Sequence, residues 1–320
     1  MIGTKLMGKK YSMSGFLAET KPACPQWLME KARQARPEPM RLAVVRASAP
    51  LPMKTAHEAW REGIAAPILI GEASAIRQEA EAIGWDLDGI EIHDCKGEQS
   101  AIDVAISLTG ANKVDALMKG HLHSDVFMGG IVAREAGIRA EKRMVHVFAM
   151  FPADGTKPLL ISDAAVNVTP DLKTRQQAIR TLVETAHALG IETPNVAILS
   201  ATETPIASIP SSMDARELCK WAEANVDAAR FAGPLSFDLS VAPEAVEIKG
   251  ISGNPVAGAA DALLVPDITS GNILFKALVW YKGACAAGVV TGGKVPIILT
   301  SRADPHEARM ASIALAAILP

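Results

Sequence analysis

Aromatic residues make up only 4% of this 320-residue chain. Its core must therefore come from Ala, Val, Ile and Leu, which suits a sheet buried on both faces by helices. Four cysteines, Cys24, Cys95, Cys219 and Cys285, stand far apart. No C-x-x-C pair occurs, so a zinc site of that type and a small disulfide scaffold are excluded. No apolar run reaches the ~20 residues of a membrane-spanning helix. The lysine-containing start, Met1 to Ser14, is not followed by the apolar stretch of a signal peptide. Reduced thiols and no export signal give the expectation of a cytoplasmic protein. Charge is nearly balanced, with a net of -3 and no long basic run. Nucleic acid and membrane are not expected partners. Two phosphate-binding signatures are also missing: no Gly-Lys-Ser/Thr P-loop and no G-x-G-x-x-G after a strand.

What is present is 49% hydrophobic residues, enough for two domains or one large one. From Arg41 onward, short β-branched runs alternate with helical periods. Strands are read at Leu42 to Val45, Pro67 to Gly71, Ile90 to Ile92 and Ala116 to Gly120. Further strands are read at Met144 to Met150, Leu159 to Asp163, Asn195 to Ser200, Ala262 to Val265, Ala287 to Val290 and Val295 to Thr300. Helices are predicted between them, including Val126 to Ala136 and one running from a Thr169 cap and Pro170 to Gly190. Ser211-x-x-Asp214 has capping-box spacing. This alternation throughout the chain predicts an α/β fold with parallel-rich sheets and right-handed crossovers. The boundary between domains is placed near residues 140–155.

One junction concentrates chemistry. The strand ending at Thr300 meets Ser301-Arg302-Ala303-Asp304-Pro305 and then a helix. Unpaired N–H groups at a helix start attract anions, and ligands in open α/β sheets gather at carboxyl ends of strands. Arg302 offers a planar fork of donors to phosphate, and Ser301 a hydroxyl to an oxyanion. A surface arginine and a turn serine are the plain alternative. Asp304, Pro305 and Glu307 also fit an N-cap, first-turn and third-position arrangement, so Asp304 reads equally as a cap. Asp267 to Asn272, with Ser270 and Gly271, is a strand-to-helix turn that can hold an anion or simply turn the chain. His121, His123 and Ser124 follow a strand that ends at Lys119. His-x-His can bind metal or hydrogen-bond a substrate, and Lys119 can meet a phosphate or end the strand.

These segments resemble the phosphate acetyltransferase and phosphate butyryltransferase family. The likeness is carried by Asp115-Ala-Leu-Met-Lys-Gly-His-Leu-His123, Pro158-Leu-Leu-Ile-Ser-Asp-Ala-Ala-Val-Asn167, Asn254-Pro-Val-Ala-Gly258, Val265-Pro-Asp-Ile-Thr-Ser-Gly-Asn272 and Pro296-Ile-Ile-Leu-Thr-Ser-Arg302. It extends from about Arg41 to the end. Met-Lys-Gly-His and Thr-Ser-Arg-Ala-Asp resemble the butyryltransferase-like branch, without a fused enoyl-CoA hydratase-like domain. The resemblance implies reversible transfer of a short acyl group between CoA and phosphate. It implies a two-domain isocitrate/isopropylmalate dehydrogenase-like fold with an interdomain cleft. The domains would be 1–145 plus 302–320, and 146–301. It further implies a homodimer or higher homo-oligomer, no metal, and no cofactor beyond CoA as a substrate.

Catalytic positions implied or read here are Ser301, Arg302, Asp304 and Glu307. Substrate-binding positions are Lys119, His121, His123, Ser124, Asp267, Ser270, Gly271 and Asn272. The family's catalytic aspartate, seven residues after the serine, falls here on Ala308, and no arginine follows Ser124-Asp125 within Val126 to Gly130. Two other readings stand beside this one. The first is a catalytically silent acyl-CoA or phosphate-binding protein. The second is a metal- and NAD-dependent dehydrogenase of related fold.

Overall fold

The computed structural model describes residues 16–133, 137–138, 140, 142–300 and 304–319. The first half contains α1 (Gln26–Gln34), β1 (Met40–Val45), α2 (Pro50–Arg61), β2 (Ala65–Gly71), α3 (Ala73–Ala82), β3 (Glu91–Asp94), α4 (Glu98–Gly110), β4 (Ala116–Lys119) and α5 (Ser124–Val132). Then follow β5 (Val145–Phe151), β6 (Leu159–Ser162), α6 (Leu172–Leu189), β7 (Asn195–Leu199), α7 (Pro210–Asn225), β8 (Arg230–Leu235), α8 (Phe237–Val241) and α9 (Pro243–Ile248). The chain closes with β9 (Ala262–Leu264), α10 (Ile268–Lys282), β10 (Cys285–Thr291), β11 (Ile297–Ile298) and α11 (His306–Ile318). No helix among the described residues is long and apolar enough to cross a membrane.

All eleven strands form one sheet in the order β3-β2-β1-β4-β11-β10-β5-β6-β9-β7-β8. The sheet is mostly parallel, as expected, and departs from that in the middle. β10 runs antiparallel to β11 and to β5, and β5 antiparallel to β6. The cause is the connections: residues 152–158 and 292–296 are too short to carry a crossover helix, so each link reverses the chain. On either side of this seam every pairing is parallel.

Local chemistry sets the ends of the elements. Asp171, not Thr169, caps α6 by accepting the Thr174 N–H at 2.8 Å, and Gly190 ends the helix at φ 97°. α7 starts at Pro210 behind Ile209, with no side-chain cap from Ser211. The strand expected over Val295 to Thr300 is ladder-paired only at Ile297 and Ile298.

Strand alternation divides the core unequally. On one face a single hydrophobic cluster runs from Leu42 and Leu69 through Ile298, Val289 and Val147 to Leu160, Leu264 and Ile198. On the other face there are two clusters. One gathers Val45, Ile70, Leu117, Ile297 and Val290; the other gathers Phe148, Ile161, Leu263 and Leu199. The gap between them falls over β10 and β5. There His146, paired across the ladder with Val290, lies against Phe148 with ring centroids 4.2 Å apart. Gly288 permits this approach. A Cβ there would sit 2.8 Å from Phe148 Cε1 and 2.9 Å from His146 Nε2.

Gly288→Ala should therefore lower stability by about 1–3 kcal/mol through overpacking of the seam. Urea unfolding with an unchanged m-value would register it.

Candidate active site

Two groups of polar residues flank the seam. The first covers the carboxyl ends of β1, β2 and β4. Gly120 is required where β4 ends, because a Cβ would strike the Val45 and Arg46 carbonyls. Gly120 and His121 donate backbone N–H groups to these same carbonyls at 2.9 and 2.8 Å. Arg46, at φ 58°, turns its guanidinium toward Glu98 (3.3 Å), Glu72 (3.5 Å) and the His121 carbonyl (3.2 Å). A hydrogen bond from Ser48 at 2.6 Å pulls the Glu72 carboxyl down to about 2. Burial opposes the ionisation of Glu98, but hydrogen bonds from the His123 ring and N–H hold its carboxyl below the ordinary value.

Of the expected binding residues, Lys119 is buried at the end of β4, on the face to which Leu117 points. His121 is exposed, His123 precedes α5 and is tied to Glu98 at 2.9 Å, and Ser124 opens that helix at the surface.

The second group covers the ends of β6 and β9. Asp163 follows β6 directly and is 4% exposed. Its two oxygens accept the N–H groups of His146 (3.1 Å), Ala165 (2.9 Å), Val166 (3.0 Å) and Asn167 (3.3 Å), and the Asn167 side-chain amide at 2.6 Å. That amide also reaches the Met144 carbonyl at 3.0 Å. The loop is wedged between the halves: Ala164 belongs to one core cluster and Val166 packs against the other. Asp267 caps α10 by accepting the Ser270 N–H at 2.9 Å. Gly271 is buried because its missing side chain leaves room for Ala164 and Val265, each 2.9 Å from a Cβ built there. Asn272 donates to the Ala164 carbonyl at 3.4 Å. Asp267, Ser270, Gly271 and Asn272 are thus gathered beside the Asp163 loop.

Ser301 and Arg302 lie outside the described residues; their flanks do not. Thr300 is 3% exposed and accepts a hydrogen bond from Arg309 Nη1 at 2.8 Å, while its hydroxyl lies 3.4 Å from the Lys119 carbonyl. Burial lowers the pKa of Arg309, and the nearby Asp304 charge works against that. The capping arrangement read at Asp304 is corrected. α11 begins at His306, its N-cap is Pro305, and no side chain caps it. His306 is held instead by Glu58 at 2.5 Å. Glu307 is exposed, and its charge is felt by Cys24 and Cys285 in the unbroken core, on the face opposite that of Leu117. Ala308 is 5% exposed and belongs to that core.

Arg46, Glu72, Glu98, His146 and Asp163 were not anticipated as site residues. A signal was present for two of them. His146 is a lone histidine in an apolar strand, and Asp163 and Asn167 stand four apart in a strand-end motif. Arg46 and the two glutamates meet only through the topology, from three different strand ends.

Against this geometry, comparisons with known proteins point one way. The family described as Phosphate acetyl/butaryl transferase matches residues 98–317. The chain belongs to this family. A phosphate acetyltransferase of Rhizobium meliloti is 40% identical over 289 residues, 87% of this chain and 91% of the relative. A phosphate butyryltransferase of Clostridium acetobutylicum is 35% identical over 268 residues, 83% of this chain and 89% of the relative. Among solved structures, a branched-chain phosphotransacylase from Enterococcus faecalis superposes with a TM-score of 0.74 at 29% identity, covering 87% of this chain and 98% of that one. The loop after β6 is a contact between the two hydrophobic clusters on that face, through Ala164 and Val166.

Asp163→Asn should cost about 2–3 kcal/mol, because an amide cannot accept this set of N–H groups without opposing one of them. Chemical denaturation measures it. A pH effect follows from His146, which is fully buried with neither ring nitrogen hydrogen-bonded. Burial lowers its pKa, with the Asp163 charge opposing. Folded protein then keeps the ring neutral while the unfolded chain takes up a proton below ~6.5. Stability should fall as pH drops through that range, and His146→Leu should flatten the decline in unfolding scans at pH 7 to 5.

Proposed function

We propose that this chain catalyses the reversible reaction of a short-chain acyl-CoA with phosphate, giving acyl phosphate and CoA. The observation that carries this reading is the family match over residues 98–317, joined to a 40%-identical phosphate acetyltransferase covering most of the chain. In the reverse direction the CoA sulfur attacks the acyl phosphate carbonyl. Arg302 holds the phosphate, and Ser301 steadies the developing oxyanion. Thr300, fixed between α11 and β4, would set where Ser301 begins.

A CoA thiol of ordinary acidity (~8.5) does not readily yield its proton to a carboxylate of ordinary acidity (~4), so transfer must accompany attack. Asp304 is the first choice of base: it precedes α11 and its charge lies near Arg309. Glu307 is the second. Lys119, His121, His123 and Ser124 on one wall, and Asp267, Ser270, Gly271 and Asn272 on the other, would receive CoA and phosphate.

The reading includes a two-domain isocitrate/isopropylmalate dehydrogenase-like arrangement, with domains 1–145 plus 302–320 and 146–301. The gap between the two hydrophobic clusters supports a cleft there. It also includes a homodimer or higher homo-oligomer in the cytoplasm, with no cofactor other than CoA as substrate.

The test is release of CoA from acetyl-, propionyl- and butyryl-CoA, with and without phosphate. Phosphate-dependent release from at least one is expected; none from any of the three rejects the reading. Arg302→Ala should lower kcat/KM for phosphate by about 100-fold or more. Asp304→Asn should lower kcat and remove a limb of its pH profile; a normal profile moves the base elsewhere.

A further inference from the structure

On the unbroken-core side of the sheet, a cavity of about 410 Å³ opens between α6 and the link from β10 to β11. It falls within the ~300–1,000 Å³ span of small-molecule sites. None of the residues assigned above to acyl transfer lines it. Its back wall is made of hydroxyls. Thr181 Oγ1 faces Thr291 Oγ1 across 3.3 Å and lies 3.4 Å from the Gln177 amide nitrogen. One turn further along α6, Thr185 is completely buried and its hydroxyl has no hydrogen-bond partner.

That vacancy is unusual within this protein. A helical hydroxyl ordinarily bonds back to the carbonyl four residues earlier. Thr55, Thr109 and Ser312 all do so here, at 2.9, 2.8 and 2.7 Å. Thr185 forgoes that bond where it lines the cavity. A buried polar group left unsatisfied is destabilising, and a ligand accepting from the hydroxyl would relieve that.

The rest of the lining narrows the ligand. Among the described residues of the lining there are two lysines, Lys142 and Lys294, and one carboxylate, Glu184, an excess of one positive charge. Lys142 already meets Glu184 at 3.2 Å. Ala140, Pro296 and Leu319 supply apolar surface that an inorganic oxyanion would not use. We propose that this cavity is a second site, distinct from the acyl-transfer cleft, for a small organic carboxylate held by Lys294 and by the hydroxyls of Thr181 and Thr185. The site joins α6 to the β10–β11 link and to the end of α11, so its ligand fastens the two parallel halves from behind.

Calorimetric titration of the full chain with succinate and with citrate tests this. Saturable binding of at least one is expected. Lys294→Glu should weaken it by about tenfold or more, and Thr185→Val by about fivefold. Arg302→Ala, in the acyl-transfer site, should leave it unchanged. Thr185→Val loses no hydrogen bond in the free protein, so its melting temperature should match or exceed that of the parent, and a weaker titration cannot then be blamed on misfolding. No binding of either acid overturns the site. So does binding that survives Lys294→Glu but fails in Arg302→Ala, which would assign it to the phosphate pocket.

Discussion

The Asp163 carboxylate is the constraint on which the middle of the molecule depends. One buried anion satisfies three consecutive N–H groups of the chain after β6, the N–H of His146 on the neighbouring strand, and the Asn167 amide. Hydrogen bonds to a charged acceptor are individually stronger than neutral ones, and here they converge where two hydrophobic clusters fail to meet. Apolar packing fills that face on either side of the seam; it is a polar hub that fixes the loop across it.

The hub matters because of how the strands run. Parallel blocks present their carboxyl ends to one edge, and ligands follow. With antiparallel β10 and β5 between them, the two blocks present opposite edges. Arg46, Glu98 and His123 assemble at one, and Asp163 with the start of α10 at the other. Neither group alone resembles a complete acyl-transfer site. The loop after β6 touches both cores, with Ala164 and Val166 as its apolar contacts and Asn167 bonded to the Met144 carbonyl.

Much of this was readable in the sequence, for physical reasons that differ by region. Strands buried on both faces, such as Ala65 to Gly71, announce themselves as unbroken apolar runs, and Gly190 marks a helix end through its left-handed backbone. β8, by contrast, contains Gly233 and Pro234 and begins with an exposed arginine, so it lacks the pattern of a buried strand. The antiparallel seam was hidden because alternation of element types says nothing about direction when a connection carries no helix. At the site, the strand-end motifs were visible as local strings. The pairing of Arg46 with Glu72 and Glu98 was not, since it joins residues 26 and 52 positions apart through the register of β1, β2 and β3. Asp304 shows the opposite failure: a complete local capping pattern that the chain does not use.

β4 and β5 follow one another in the sequence, yet in the sheet β11 and β10 lie between them. Those two strands are among the last to be made. During synthesis the chain therefore holds two unpaired strand edges facing each other, with about 135 residues still to come after β5 before the gap can be filled. The covering helix α11, which packs on β10, α1 and α2, follows both strands. The strands that complete the middle of the sheet thus lie late in the chain, and the residues proposed for chemistry fall in the sequence between β11 and the end of the first turn of α11. A chain interrupted before β10 would carry both parallel blocks but not the strands that join them.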